Sequence, residues 1–146
     1  MMEIDCHQER MDLSLIHQFL TYESPWAKGI SRATVEKSLR HSLCFAGYID
    51  AKQMAFARVI SDYATFANLV DVFILEEYRG KGFGKQLIQS VVSHPELQGL
   101  RRFTLATADA HDLYNQYGFS ALSKPSLFME RFDPNIYSRE SGSPNE

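Results

Sequence analysis

The spacing of apolar positions predicts the order of elements in the first half of the chain. Leu13, Ile16 and Leu20 recur at helical spacing after Asp12, a residue type that caps helix N-termini. Ser31 is a cap of the same kind for a second helix. In chain order the pattern predicts a strand at 2–5, helices at 13–20 and 31–41, a hairpin of strands at 42–49 and 53–61, and a strand at 66–75.

The second half alternates helices with strands. Leu87, Ile88, Val91 and Val92 form an apolar helical stripe of the kind that packs into a core. Pro95 ends this helix, because a proline disfavours helical geometry in the residue before it. The pattern then predicts a strand at 102–106, a helix at 108–117 and a final pair of strands at 119–122 and 127–132. This order indicates an α/β (α+β) domain with a mixed sheet.

The composition is typical of one soluble globular domain. The chain has 146 residues, of which 45% are hydrophobic and 23% charged, and no apolar stretch approaches the ~20 residues of a membrane span. We expect a single domain over residues 1–133. Residues 134–146 are rich in Pro, Asn, Ser, Gly and Glu, and we expect them to form a disordered polar tail.

Charge and cysteine content narrow the classes of binding partner and the cellular compartment that we expect for the protein. A net charge of −3 and a pI near 5.9 argue against a nucleic-acid-binding face. The first residues lack the basic and apolar regions of a secretory signal, which predicts a cytoplasmic protein. Cys6 and Cys44 are far apart and lack metal-ligand spacing, so we expect free thiols and no metal site.

A glycine-rich run joins the strand that ends near residue 75 to the next helix. It reads Arg79-Gly80-Lys81-Gly82-Phe83-Gly84-Lys85. Alternate glycines let a ligand approach the backbone, and the start of the helix favours negative charge. The run therefore predicts an anion site suited to phosphate.

Other phosphate-binding patterns fit this run poorly. A Walker A loop needs Gly where Arg79 stands and Ser or Thr where Gln86 stands. The dinucleotide fingerprint needs its third glycine one residue after Gly84 and an acidic residue about 20 positions further on, where the chain offers residues 100–102. The pattern that does fit, Arg-x-x-Gly-x-Gly, resembles the acyl-CoA pyrophosphate loop of the GCN5-related N-acetyltransferases, the GNAT family.

A second segment is similar to the other signature of this family. Residues 107–119 place an Ala, a Leu-Tyr pair and a Gly-Phe pair on a predicted short helix and the strand after it; the matching residues are Ala110, Leu113, Tyr114, Gly118 and Phe119. Thr107 stands where the family usually has the Asn that contacts pantetheine. The two segments follow the family's order and separation, and the resemblance covers roughly residues 56–131.

The resemblance implies a GNAT-like fold, a mixed and mostly antiparallel central sheet flanked by helices, with acetyl-CoA as co-substrate and no metal. It also implies that the pantetheine arm pairs with the strand before the loop, where a backbone amide aims at the thioester oxygen. The loop would wrap the pyrophosphate. The residues assigned to acetyl-CoA in this way are Val72, Phe73, Ile74, Arg79, Gly80, Lys81, Gly82, Phe83, Gly84, Lys85, Thr107 and Ala110.

Four residues are the candidates for catalysis. Tyr114 matches the family's general acid, and a phenol can protonate a newly formed thiolate; the alternative is a packed tyrosine. Asp71 is the first candidate for the general base because its strand also carries the thioester, unless it is a structural carboxylate paired with Arg58. His111 titrates in the useful range and, with Asp109, comes next, unless either one caps the helix or faces solvent.

The acceptor side is expected from the least family-like part of the chain. In the loop at 22–30, Trp26 lies near Tyr22 and Glu23 and can form an aromatic, acidic wall for an ammonium group, or simply pack onto the domain. The hairpin at 62–63 is expected to complete this wall.

We expect direct transfer of an acetyl group to a primary amine of a small molecule. Three alternatives stay open: a non-catalytic acyl-CoA sensor, acetylation of a protein or peptide amine, and acetylation of an aminoacyl-RNA. A homodimer that pairs through the last strands is a further possibility. No membrane partner is expected.

Overall fold

The computed structural model describes residues 1–138 as a mixed sheet with helices on both faces. In spatial order, which is also chain order, the strands are β1 (Glu3–Asp5), β2 (Leu43–Ile49), β3 (Lys52–Ser61), β4 (Phe66–Ile74) and β5 (Arg102–Leu105). The first four strands are antiparallel neighbours, and β5 pairs with β4 in parallel. The predicted mixed, mostly antiparallel sheet is confirmed.

In the described part of the chain, the helices that accompany the sheet include α1 (Leu13–Gln18), α2 (Arg32–Arg40), α3 (Phe83–Val92) and α4 (His111–Asn115). Asp12 accepts a hydrogen bond from the Leu15 amide at 3.0 Å, and Ser31 accepts one from the Thr34 amide at 3.2 Å. Both predicted caps are therefore present. After α1 the chain continues as a π-helical turn over Phe19–Glu23.

The sheet is covered on each face by its own apolar cluster, because successive strand residues point to opposite sides. On one face Leu87, Ile88 and Val91 of α3 pack with Phe45 and with other buried strand residues. On the other face the buried side chains of α1 and α2 pack with strand residues that include Phe73, whose ring stacks on Phe19 at 4.0 Å. Both faces of the sheet are therefore parts of the core.

The predicted final pair of strands is wrong. Residues 119–122 and 127–132 form no strand, and every residue over 120–136 is exposed. We call residues 120–136 the C-terminal arm. In the described part of the chain, the arm makes no backbone hydrogen bond to β5. A strand forms only where a neighbouring edge pairs with it, and the sequence of the arm does not reveal whether one is present.

Two further helix boundaries differ from the prediction. The apolar stripe predicts a helix from Gln86, but α3 begins at Phe83, so Phe83, Gly84 and Lys85 belong to its first turn. Helix α4 covers only the middle of the predicted 108–117. Local apolar spacing does not mark these ends. At the start of α3, the N-cap position is held by Gly82, which has no capping side chain that the sequence could reveal.

The end of the described chain returns to the domain. Tyr137 packs against the cluster under α1 and α2. Of the predicted polar tail, residues 139–146 lie outside the described residues. Among residues 1–138, no helix has both the length and the apolarity required to cross a membrane.

Candidate active site

A wedge-shaped cleft opens between β4 and β5. The two strands pair only where Phe66–Leu69 faces Arg102–Leu105, and β4 then continues to Ile74 without a strand on that side. At the paired end the Thr104 hydroxyl donates to the side-chain oxygen Oδ1 of Asn68 at 2.7 Å. Beyond it, a stretch of β4 backbone is left for another extended chain or ligand to pair with.

A bulge in β4 lies at the point where the strands part. Asp71 has a φ of +55°, in the left-handed region, and the register with β3 shifts between Phe56 and Arg58. After the bulge, the Leu75 amide donates to Met54 on β3 at 2.9 Å. Since backbone groups alternate along a strand, those of Val72 and Ile74 face the cleft, while those of Phe73 face β3.

The glycine-rich run leads from this cleft into α3. Gly80 and Gly82 have φ values of +78° and +86°, which favour glycine on conformational grounds. Gly82 starts α3 without any side-chain cap, so the amides of the first turn keep their hydrogen-bonding capacity. Lys81 and Lys85 are exposed beside them. The predicted anion site therefore has its three physical components: free amides, a helix N-terminus and cations.

Arg79 has a different contact from the rest of the run. Its Nε donates to the Ile74 carbonyl at 2.8 Å, at the end of β4. The side chain thus ties the loop to the strand and occupies one of the backbone oxygens assigned to the pantetheine arm. Arg79 as a whole is exposed.

Tyr114 lies buried on α4, packed edge-on against Phe119 with ring centroids 5.9 Å apart. Burial raises the pKa of its phenol above the ordinary value. Within residues 1–138 its hydroxyl has no hydrogen-bond partner. The phenol is therefore protonated at neutral pH and has a proton available for a ligand.

Two contacts place α4 relative to the glycine run. The Tyr117 hydroxyl donates to the Lys85 carbonyl in the first turn of α3 at 3.1 Å. The Thr107 hydroxyl oxygen accepts from the Ala110 amide at 3.1 Å and so shapes the turn before α4. Thr107 thus has an oxygen at the family's Asn position, but that oxygen is used within the turn. No local pattern predicts the contact of Tyr117, which lies 32 residues from its partner.

Asp71 is bound through both carboxylate oxygens. Arg58 Nε donates to one of them at 2.8 Å, and the Trp26 indole Nε1 donates to the other, also at 2.8 Å. Arg58 also donates to the Ser42 hydroxyl at 3.0 Å, and the ion pair is largely buried. Asp71 therefore pairs with Arg58 and also holds Trp26, and each of its oxygens keeps a further lone pair.

The contact between Asp71 and Trp26 also positions the loop at residues 22–30, which we call the acceptor-side loop after its predicted role. Ser24 is buried; its hydroxyl donates to the Leu20 carbonyl at 2.6 Å and accepts from the Ala27 amide at 3.0 Å. This turn presents Trp26 to Asp71, while Tyr22 remains exposed. The sequence predicted Trp26 as a wall of the site but not as the partner of Asp71.

The other predicted site residues lie apart from this contact. His111 and Asp109 are both exposed. The carboxylate of Asp62 accepts from the hydroxyl and amide of Thr65 and from the Ala64 amide, bonds that hold its pKa below the ordinary value. Its hairpin lies at the paired end of β4 and β5, so it does not complete the acceptor wall at the open end of the cleft.

A cavity lies on the outer side of β5, away from the wedge. It is a groove of about 740 Å³ that runs along β5 and is bounded by α4 and by the start of the C-terminal arm. Tyr114 and His111 both line it, whereas the glycine run does not. The site therefore has a cleft on one side of β5 and an apolar groove on the other.

Known proteins are similar to this chain in sequence and in fold. The GNAT acetyltransferase domain matches residues 40–121, more than half of the chain. A candidate acetyltransferase of the GNAT family from Xanthomonas campestris pv. campestris is 51% identical. Its crystal structure superposes with a TM-score of 0.93 over 94% of this chain and 97% of that one.

Two curated relatives are more distant. A candidate acetyltransferase from Gibberella zeae is 31% identical over 112 residues, 62% of each chain. The GCN5-related N-acetyltransferase 2, chloroplastic, of Arabidopsis thaliana is 33% identical over 73 residues, 49% of this chain and 28% of that one. The matched regions span less than two thirds of these two relatives. On the domain match and the Xanthomonas structure together, the chain belongs to the GNAT acetyltransferase family.

Proposed function

We propose that the protein is an acetyl-CoA-dependent N-acetyltransferase that moves the acetyl group directly to the primary amine of a small molecule. One observation carries the proposal. The unpaired backbone of β4 runs along an open cleft to the uncapped N-terminus of α3. The extended pantetheine arm of acetyl-CoA can pair with this backbone, and its diphosphate can then bind the helix N-terminus.

The glycine run itself supports a close-fitting ligand. Gly84 lies inside α3 with a helical φ, and a Cβ built there would meet no atom within 4 Å. Neither backbone strain nor crowding within the protein explains this glycine. Close approach of a ligand to the helix N-terminus does explain it, and Lys81 and Lys85 supply the positive charge for a diphosphate.

Acetyl-CoA supplies an acetyl group that is already activated as a thioester. The chain's residues hold it and move the protons. Val72 and Ile74 present backbone groups to the cleft, and an amide there is suited to stabilise the negative charge that develops on the carbonyl oxygen. Tyr114, on the face covered by α3 and α4, keeps its proton at neutral pH and donates it to the leaving sulfur.

The acceptor would enter from the face covered by α1 and α2. Trp26 and Tyr22 expose aromatic surface there, and Glu23 adds a negative charge; these features attract an ammonium group. Asp71 fixes Trp26 and is the first base candidate. His111 is the other candidate, since it is exposed at the start of α4, four residues after Thr107.

Free thiols at Cys6 and Cys44 agree with a reducing compartment, and we propose a cytoplasmic location on that basis.

The test is release of the CoA thiol from acetyl-CoA in the presence of a panel of amines, peptides and aminoacyl-RNA. Tyr114→Phe should lower kcat by about 10²–10⁴-fold on the acceptor that works, because it removes only the proton donor. Tyr48→Phe is the matched control. The Tyr48 hydroxyl is buried without a partner among the described residues, so its loss should leave activity and fold intact.

Each result selects among the functions. Turnover confined to small amines supports the proposal. Turnover confined to peptides or to aminoacyl-RNA would show that the acceptor is a peptide amine or an aminoacyl-RNA instead of a small molecule. Binding of acetyl-CoA without thiol release for any acceptor would favour the non-catalytic sensor. Failure to bind CoA would refute the whole assignment.

A further inference from the structure

Part of the sheet face under α1 and α2 has no helix over it. Arg58 directs its side chain to this face, where it meets Asp71, and Ile60 points the same way because side chains alternate along β3. Among residues 1–138, the buried strand residues of this cluster extend no further than the row of Arg58; they are Cys44, Phe56 and Phe73. The face between Arg58 and the β3–β4 hairpin is therefore open.

Five side chains line this open stretch, which we call the platform. Ile60, Asn68 and Thr104 lie opposite one another across β3, β4 and β5, and Thr104 donates to Asn68 at 2.7 Å. Phe66 and Val70 lie two residues on either side of Asn68 and point to the same face. Ile60 and Phe66 are 44% and 41% exposed. The platform is thus an apolar surface with one polar pair.

The platform begins at the residues proposed to receive the acceptor amine. Val70 precedes Asp71 and lies directly opposite Arg58, which bonds to Asp71 at 2.8 Å. Trp26 donates to the other oxygen of Asp71, and half of its surface is exposed. Each oxygen of this carboxylate keeps a lone pair for a further donor. An amine bonded to Asp71 therefore has its substituent at the near end of the platform.

The far end of the platform has a positive charge. Arg102 lies opposite Phe66, four residues along β4 from Val70, and at the usual rise of a strand this distance is about 13 Å. The Phe128 ring lies 4.9 Å from the Arg102 guanidinium and bounds this end. In the part of the chain that the structure describes, Arg102 forms no ion pair. A second ammonium group on the acceptor would be repelled here.

We propose that the acceptor is a primary monoamine with an uncharged apolar body, which lies on the platform while its amine lies at Asp71. The inference rests on the proposed acetyl transfer and adds the class of acceptor. Contact with Ile60 and Phe66 removes apolar surface from water and favours an apolar body. The charge of Arg102 disfavours a diamine of similar length, so the platform selects by both attraction and repulsion.

The experiment compares heptylamine with hexamethylenediamine. The two molecules have the same number of non-hydrogen atoms and differ in a terminal methyl group or ammonium group. In the wild type, kcat/KM from release of the CoA thiol should favour heptylamine by about tenfold or more. Ile60→Glu should reverse this preference, because it removes an apolar contact and adds a carboxylate that attracts the second ammonium.

Ile60→Thr is a second, milder variant that keeps a β-branched residue in β3. It should lower kcat/KM for heptylamine about fivefold, since it replaces part of the apolar contact, and should leave that for the diamine unchanged. Ile136→Glu is the matched control, because Ile136 is 47% exposed and lies on the C-terminal arm outside the platform. It should leave the ratio of the two kcat/KM values as in the wild type. Circular dichroism and a cooperative melt check the fold of every variant.

The acceptor class and the transferase activity can fail separately. Equal kcat/KM values for the two amines in the wild type, or an unchanged ratio in Ile60→Glu, would overturn the acceptor class and leave acetyl transfer intact. Absence of thiol release with every amine would instead count against the transferase.

Binding then tests the platform without turnover. Trp26 is the only tryptophan of the chain and bonds to Asp71 at the head of the platform, so its fluorescence reports an amine bound there. Saturable heptylamine binding that Ile60→Glu weakens about tenfold would support the platform. A titration without a saturable signal, or one that Ile60→Glu leaves unchanged, would overturn it.

Discussion

At the scale of single residues, the contact of Asp71 with Arg58 and Trp26 joins the acceptor-side loop to the cleft. Arg58→Met would leave a largely buried carboxylate without its cation, and we expect a loss of about 3–5 kcal/mol in the free energy of unfolding. Asp71→Asn in the same chain removes the stranded charge, and Asn tolerates the φ of +55° at this position. The double variant should therefore recover at least half of the loss. Urea unfolding of all four chains measures the coupling.

Arg32→Met is the control for this cycle, because Arg32 makes an exposed pair with Glu36 at 3.6 Å. Its effect should stay within about 0.5 kcal/mol. Purely additive effects of Arg58→Met and Asp71→Asn would mean that the buried pair does not act as a unit.

At the scale of elements, the two glycines at the start of α3 have different roles. Gly82 is needed for the conformation of the backbone, and Gly84 is needed for the close approach of the ligand. Gly84→Ala adds a Cβ where no protein atom lies within 4 Å, so stability should hold or rise by up to about 1 kcal/mol. Affinity for CoA should nevertheless fall at least tenfold, because the methyl group enters the space beside the helix N-terminus. Gly82→Ala should instead destabilise the free protein by about 1–2 kcal/mol, since its φ is +86°.

Thermal unfolding without ligand and calorimetric titration with CoA distinguish these two glycines. If Gly84→Ala binds CoA as tightly as the wild type does, the diphosphate does not lie against the first turn of α3, and the role of the run has to be reassigned. A Gly82→Ala chain as stable as the wild type would show that the left-handed conformation is not needed.

The elements that the sequence predicted are those with local causes. Helix α2 follows from Ser31 and from the spacing of Val35 and Leu39, and the glycine run is contiguous, so its chemistry can be read directly. The contact between Trp26 and Asp71 joins positions 45 residues apart, and no local pattern encodes it. Residues 127–132 have the composition of a strand, but strand formation depends on an edge that the sequence does not specify.

At the scale of the whole molecule, burial of weak acids predicts that stability falls in alkali. Burial raises the pKa of Cys44 to about 12 and that of Cys6 to about 11. The unfolded chain releases these protons near pH 8.5, while the folded chain keeps them, so their stabilisation is complete below that pH and is lost as the pH rises toward 12. Cys44 is fully buried and should contribute a slope of about 1.4 kcal/mol per pH unit over this range.

Cys44→Ala removes that proton, so its stability curve should fall less steeply than the wild-type curve above pH 9, even though the smaller side chain lowers stability at pH 7. Urea unfolding under reducing conditions from pH 7 to pH 11 measures both curves. The Cys44 thiol packs in the cluster under α1 and α2. Its protonation therefore reports whether water is excluded from that cluster. Parallel curves would mean that the Cys44 thiol titrates normally in the folded chain. The core under α1 and α2 would then be open to water, and so would the base of the acceptor-side loop.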